Sequence, residues 1–231
     1  MLGIIGAMAQ EVEQLKQEMA SPEIVTVAGM DFYKGRIGGR EAVVVRSGIG
    51  KVNAGVCAQV LVDRFGVSGI VNTGIAGSLC AQINIGDLVL STDLVQHDMD
   101  ATGFGYPVGQ IPQMPVFSFE ADARLRALAK ECCEKVNPGL GVFEGRIVSG
   151  DQFISSGEKK DWLIREFSGM CAEMEGAAVA QAAWLNGIPF LIVRAISDKA
   201  DDSANMDYET FEQQAILHSV RLTRELIARY V

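Results

Sequence analysis

Apolar residues fall along this chain in two rhythms. Dominantly apolar runs at residues 2–7 ("LGIIGA"), 68–77 ("SGIVNTGIAG") and 189–197 ("PFLIVRAIS") read as strands buried on both faces, which have no need of a polar side. Between such runs the spacing turns helical. Val12, Leu15 and Met19 form one stripe over 9–19, and further helices are predicted over 51–65, 120–136, 158–167, 176–186 and 208–230. The helix at 176–186 is closed by Gly187, with Pro189 beyond it. Residues 24–50 hold three β-rich pieces broken at Gly29, Gly38 and Gly39, the pattern of an antiparallel meander. Segment 68–77 is expected to run into a glycine turn, 86–98 to form a long strand, 145–155 a strand entering a loop, and 169–175 a short strand.

Strands alternating with helices predict an α/β fold with a mainly parallel sheet and helices on its faces. Residues 99–118 ("MDATGFGYPVGQIPQMPVFS") form a Gly/Pro/aromatic loop too long for a plain connection, which favours a functional or interface role. No composition break, repeat or low-complexity tract divides the chain, so one domain over 1–231 is expected.

Composition narrows the function. The 231 residues are 48% hydrophobic and only 7% aromatic, giving an aliphatic, Ala/Gly-rich core and arguing against disorder. The net charge of −9 disfavours phosphate backbones and anionic membranes, and no basic stripe offsets it. A small neutral or cationic substrate fits better. Five cysteines, an odd number with no CxxC spacing, read as reduced thiols in the cytoplasm. The start turns acidic at once, unlike a signal peptide, and no apolar run approaches the ~18 residues of a membrane helix.

The glycine-rich stretches do not match nucleotide motifs. "SGIGKVNAG" (47–55) follows Lys51 with Val52 instead of Ser or Thr, and "GIIGAM" lacks GxGxxG, so no dinucleotide cofactor is expected. "QHDMD" (96–100) reads as a hydrogen-bonded loop, not a metal site, since the two histidines, His97 and His218, lie far apart. Neither histidine stands in a nucleophile context. Carboxylates remain as the acid–base candidates. Glu11 lies in the first helical turn after the first strand, while Glu175 and Asp198 each follow a later strand. Singly, each reads as a helix-end or turn residue. Together, on three strand ends of an open parallel sheet, they would converge where such sheets bind ligands. Arg194, inside an apolar run, then has a reason: pairing with Glu173 or Glu175.

Eight motifs in order, "GIIGAMAQEV", "SGIGKVNA", "VNTGIAGSL", "GDLVLSTD", "FGYPVGQIP", "VSGDQFI", "EMEGAAVAQ" and "VRAISDKAD", resemble the nucleoside phosphorylase/nucleosidase superfamily, and within it the bacterial 5′-methylthioadenosine/S-adenosylhomocysteine nucleosidases. The resemblance spans nearly the whole chain. It implies a three-layer α/β/α fold with a central mixed, partly barrel-like sheet, a homodimer, no cofactor or metal, and hydrolysis of the adenine–ribose bond of small adenine nucleosides. Glu11 matches the base that activates water and Asp198 the acid that protonates adenine N7. Met174 and Glu175 match the ribose platform, Phe153 the ring stacked on adenine, and the Ile154 backbone the reader of its Watson–Crick edge. Gly77 matches a turn that lets backbone approach the substrate, and Tyr208 a position near the 5′ substituent. Met8 and Ser197 join the substrate-contacting positions. Phe104 and Pro112 match loop residues completing the 5′ pocket of the neighbouring subunit. Ile75 stands where a serine is frequent.

The same fold also runs phosphorolysis. Phosphate needs cations, yet the turn at 6–10 carries no arginine and Glu11 beside it would repel a dianion. Water activated by a carboxylate is the better fit. A purine or uridine phosphorylase and a non-catalytic nucleoside-binding module stand as alternatives. At the 5′ position, methylthioadenosine, adenosylhomocysteine, 5′-deoxyadenosine and aminodeoxyfutalosine all remain open.

Overall fold

The computed structural model describes residues 1–230, the side chains of Asn205 and Glu209 excepted. The elements run β1 (Leu2–Gly6), α1 (Ala9–Glu18), β2 (Ala20–Val27), β3 (Met30–Ile37), β4 (Arg40–Arg46), α2 (Lys51–Phe65), β5 (Gly69–Ser78), β6 (Leu88–Gln96), β7 (Phe119–Glu120), α3 (Ala123–Val136), β8 (Val142–Ser149), α4 (Gly157–Phe167), β9 (Cys171–Glu173), α5 (Gly176–Leu185), β10 (Phe190–Asp198) and α6 (Ala204–Arg229). A single 3-10 turn, Thr102–Phe104, interrupts the long loop between β6 and β7. No helix among the described residues is long and apolar enough to cross a membrane.

Five strands close on themselves: β10, β6, β8, β9 and β5, with β5 pairing back to β10. From β5 the sheet continues outward through β1, β4, β3 and β2. The result is an α/β fold with a mixed, barrel-like sheet. The expectation of a mainly parallel sheet is corrected here, because antiparallel pairings (β10–β6, β5–β9, β6–β7, β2–β3 and β3–β4) balance the parallel ones. Dominantly apolar runs reported burial on both faces correctly. They carry no information about strand direction, since inside a closed barrel an antiparallel neighbour buries a strand equally well.

β10 is buried along its whole length, Arg194 included. The stripe of α1 packs inward, with Val12 and Leu15 fully buried and Met19 nearly so. Helices α2 and α5 pack against each other, as α6 does against α1 and α3. In α5 small residues allow the close approach: Ala177, Ala180 and Ala183 are completely buried.

Three local expectations shift. Helix α3 starts at Ala123 because the Asp122 carboxylate caps it, accepting from the N–H groups of Arg124 (2.9 Å) and Leu125 (2.8 Å), while Glu120 joins β7. Helix α6 starts at Ala204, four residues before the apolar stripe that announced it. The glycine turn expected at 74–77 does not form. These residues stay in β5, Gly77 pairing with Asp198 on one side and Ala172 on the other.

Candidate active site

β10 ends in Ser197 and Asp198, and Gly77 of β5 lies beside them. Gly77 serves by lacking a side chain within a strand, which corrects the turn reading. A β-carbon there would stand 2.6 Å from Asp198 Oδ1 and 2.8 Å from the Ala200 β-carbon. Asp198 is 2% exposed. Its Oδ2 accepts from Ser197 Oγ and its Oδ1 from the Ala200 N–H, both at 2.8 Å. Burial, reinforced by the charges of Asp207 and Asp201, raises its pKa against the pull of those two hydrogen bonds.

Glu11 reaches the same space from α1. Its Oε2 accepts the Met8 N–H at 2.9 Å, across the first helical turn. Glu11 is 2% exposed, and burial raises its pKa despite the Met8 bond and the nearby Arg194 charge. Gly74 makes room for it: a β-carbon at Gly74 would lie 2.7 Å from Glu11 Oε1.

Glu175 stands at the start of α5 and arrives by a different route from the one expected. Its strand, β9, runs antiparallel to β5, so a shared parallel edge does not bring it in. β9 runs parallel to β8 on one side and meets β5 only at its last residues, Gly77 and Ser78, on the other, and barrel closure carries its end to the cavity. Glu175 Oε1 accepts the Gly50 N–H at 2.8 Å. Its pKa is pushed up to about 7 by burial and by the adjacent Glu173 charge.

Beneath these groups lies a buried polar floor. Arg194 donates to Glu173 through Nε (3.1 Å) and Nη2, and to Asn72 Oδ1 at 2.5 Å. Glu173 also accepts from Ser149 Oγ and from the N–H groups of Glu175 (3.1 Å) and Gly176 (2.7 Å), the start of α5. Arg194 stands 3.9 Å from Glu175. The expected partner is therefore Glu173 by direct bond, with Glu175 at longer range.

These groups line a cavity of about 470 Å³. Glu11, Asp198, Gly77, Phe153, Ile154, Met174, Glu175, Ser197, Tyr208 and Met8 all face it, as does Ile75. Phe104 and Pro112 do not; they sit in the loop after β6, where Phe104 is 86% exposed. The Phe153 ring meets Tyr208 edge-on, with centroids 5.9 Å apart. The Tyr208 hydroxyl donates to Glu212 Oε1 at 3.0 Å and also lies 3.4 Å from Met8 Sδ. Neither lysine nor arginine is among the described lining residues.

Sequence reasoning missed Ala7, Ile49, Ala76, Gln152 and Ala172 in the lining, and Asn72 and Ser149 in the floor. Ile49 carried a usable signal, an isolated apolar residue inside a glycine loop. Asn72 and Ser149 look like ordinary strand polar residues until the barrel closes. No cluster able to hold a metal occurs among the described residues. The "QHDMD" stretch is the hydrogen-bonded loop expected, with Gln96, Asp98 and Asp100 all bonded and the His97 N–H donating to the Ser149 carbonyl, but the His97 ring is 1% exposed and neither of its nitrogens has a hydrogen-bond partner.

Comparison with known proteins places this geometry. A family model described as the phosphorylase superfamily matches residues 1–228. A 5′-methylthioadenosine/S-adenosylhomocysteine nucleosidase of Staphylococcus saprophyticus is 44% identical over 229 residues, covering 98% of this chain and 99% of the relative. The crystal structure of a nucleosidase of the same description from Neisseria meningitidis, in complex with methylthio-immucillin-A, superimposes with a TM-score of 0.95 at 36% identity, covering 99% of both chains. A futalosine hydrolase structure from Helicobacter pylori gives 0.93 at 36% identity, covering 99% of this chain and 97% of that one. The chain belongs to the phosphorylase superfamily, and within it to the 5′-methylthioadenosine/S-adenosylhomocysteine nucleosidases.

Proposed function

We propose that this protein hydrolyses the N-glycosidic bond of 5′-methylthioadenosine and S-adenosylhomocysteine, releasing adenine and the 5-thioribose product. One observation carries the choice of water over phosphate: among the described residues the cavity is lined by buried carboxylates and by no lysine or arginine. A phosphate dianion would enter without a countercharge, at a desolvation cost of several kcal/mol. A neutral nucleoside and a water molecule do not meet that barrier.

The residues divide the work as their environments allow. Adenine leaves poorly as an anion, so N7 must gain a proton as the C1′–N9 bond breaks and its electron pair moves into the purine. Asp198, its pKa raised by burial, is the donor. The ribose then carries oxocarbenium character, and Glu175 accepts hydrogen bonds from the sugar hydroxyls while stabilising that charge. Glu11 removes a proton from water as its oxygen bonds to C1′. A carboxylate with a raised pKa is a stronger base than a solvated one, which suits that step. Phe153 stacks on the purine, the Ile154 backbone reads its edge, and Gly77 and Ser197 frame Asp198. Met174 supports the ribose. Met8 and Tyr208 border the 5′ substituent.

The exposed Phe104, together with Val52 and Leu185 exposed on α2 and α5, supports a homodimer in which Phe104 and Pro112 reach the partner's 5′ pocket. The unpaired cysteines support a cytoplasmic location. The 5′ preference is measured directly by comparing kcat/KM for methylthioadenosine, adenosylhomocysteine, 5′-deoxyadenosine and aminodeoxyfutalosine. The deciding experiment is adenine release from methylthioadenosine in phosphate-free buffer. Full turnover with free thioribose is expected. A requirement for phosphate, with a sugar 1-phosphate as product, would overturn the reading.

A further inference from the structure

Two stretches that hydrolysis leaves unused, 47–55 and 96–100, meet beside the cavity. Asp98 Oδ1 accepts from Lys51 Nζ at 2.5 Å, and Asp98 Oδ2 accepts the Asp151 N–H at 2.9 Å. Asp151 Oδ1 in turn accepts the N–H of Lys51, the first residue of α2, at 2.8 Å. Asp98, Lys51 and Asp151 thus close a ring of hydrogen bonds between three distant segments.

Both ends of this ring lead into the site. One residue before Lys51, the Gly50 N–H donates to Glu175. Two and three residues after Asp151 come Phe153 and Ile154, which line the cavity. The arrangement follows from how α2 begins. A helix start leaves N–H groups without intrahelical partners, and a residue with a short polar side chain usually supplies the acceptor. Gly50 has none and takes φ +98, a conformation that favours glycine. Two carboxylates from remote segments meet the need instead, Glu175 on Gly50 and Asp151 on Lys51.

The ring is also anchored to α5, the helix that Glu175 opens. Lys51 Nζ donates to Gln96 Oε1 at 3.1 Å, and Gln96 Nε2 donates to Gln181 Oε1 at 2.6 Å. Asp98 itself is half-buried and does not line the cavity.

We propose that Asp98 is a positioning residue for nucleoside hydrolysis, holding the purine-side loop at Asp151–Ile154 and the Gly50 N–H on Glu175 in one register without touching the substrate. The inference rests on the nucleosidase reading above. Asp98→Asn replaces one acceptor oxygen with an amide donor, so the bond to Lys51 or the bond to Asp151 is lost. The expected result is a fall in kcat/KM for methylthioadenosine of about 10–100-fold, the scale of a displaced catalytic group, in a variant that stays folded at the assay temperature. The acid limb of the kcat/KM profile also moves to higher pH. The Gly50 N–H then holds the Glu175 pKa down less firmly, while Glu173, Arg194 and Glu11, the other charges facing Glu175, stay in place. A merely structural role would scale the profile without displacing it. Asp98→Asn with activity within about twofold of wild type, or with an undisplaced acid limb, overturns the proposal. If Asp98→Asn does not fold, Asp151→Ala, at an exposed side chain, must show the same displacement, and its absence is equally decisive. A wild-type chain that releases no adenine sinks the nucleosidase reading and the role of Asp98 with it. An active wild type beside undisplaced variants sinks the role of Asp98 alone.

Discussion

Arg194 and Glu173 form a buried ion pair in the cavity floor, each side chain only 2% exposed. The arginine is saturated by Glu173, Asn72 and the Val193 carbonyl, and the glutamate by Arg194, Ser149 and the N-terminus of α5. Placing a charge so deep is costly unless its partners are complete, and here they are. The consequence reaches the site. Because Glu173 takes the direct bonds to the guanidinium, Glu175 and Glu11 feel its charge only at longer range, and burial raises both of their pKa values.

Arg194→Met leaves Glu173 buried with no countercharge. Denaturant titration should show a loss of about 3–5 kcal/mol, the usual result of breaking one side of a buried pair. Adding Glu173→Gln should restore part of that stability. An Arg194→Met protein with full stability and activity would remove the pair from the account.

Glu175 predicts a slope of stability with pH. Its pKa is about 7 in the folded chain against an ordinary 4.5. Between those values the native state holds a proton that the unfolded state has released, so stability falls as pH rises through the window. Glu175→Gln removes the titration. Relative to wild type, the variant should gain thermal stability from about pH 5 to about pH 7 and level off above that. A difference independent of pH would show that Glu175 titrates normally.

The sequence reveals much of this arrangement, unevenly. Burial was legible in β10, where a dominantly apolar run marked Arg194 as anomalous before any coordinates. Strand direction was not, because periodicity reports which faces are covered and not which way a neighbour runs. That gap matters for Glu175: an open parallel edge was the expected route, and closure of the barrel through the β5–β9 pairing is the actual one. Gly77 shows a similar limit. A glycine-rich "GIAG" signals close approach equally well from a turn or from a strand. Asn72 and Ser149 could not be singled out, since their partners lie 122 and 24 residues away.

His97 predicts the opposite slope. Burial pushes its pKa down to about 4 from 6.5, against the attraction of Asp98. Between pH 6.5 and 4 the unfolded chain takes up a proton that the native state refuses, so this residue costs stability as pH falls, by about 3 kcal/mol at full amplitude. His97→Leu should therefore flatten acid unfolding between those values, as read by chemical denaturation at a series of pH values. In wild type the Glu175 and His97 contributions offset each other near pH 5–6, and each single variant should unmask the slope of the other. Matching slopes in wild type and His97→Leu would show that the imidazole titrates as a solvated one.

Asp198 and Glu11 predict a pattern of losses rather than two separate ones. Asp198→Asn keeps the shape and an acceptor for the Ser197 hydroxyl or the Ala200 N–H, but it has no acidic proton to give N7. Turnover should fall by about 10²–10⁴, measured as adenine release, while calorimetry finds an adenosine analogue still bound. Glu11→Gln retains an oxygen for the Met8 N–H, so α1 should start unchanged, and kcat should fall on a similar scale. Both groups act on the same bond-breaking event, one on the departing base and the other on the arriving water. Removing the second after the first should therefore cost far less than the product of the single losses, as in other catalytic units. Strictly multiplicative losses would mean that acid and base serve separate steps. Near-normal kcat in either single variant would remove that residue from the chemistry.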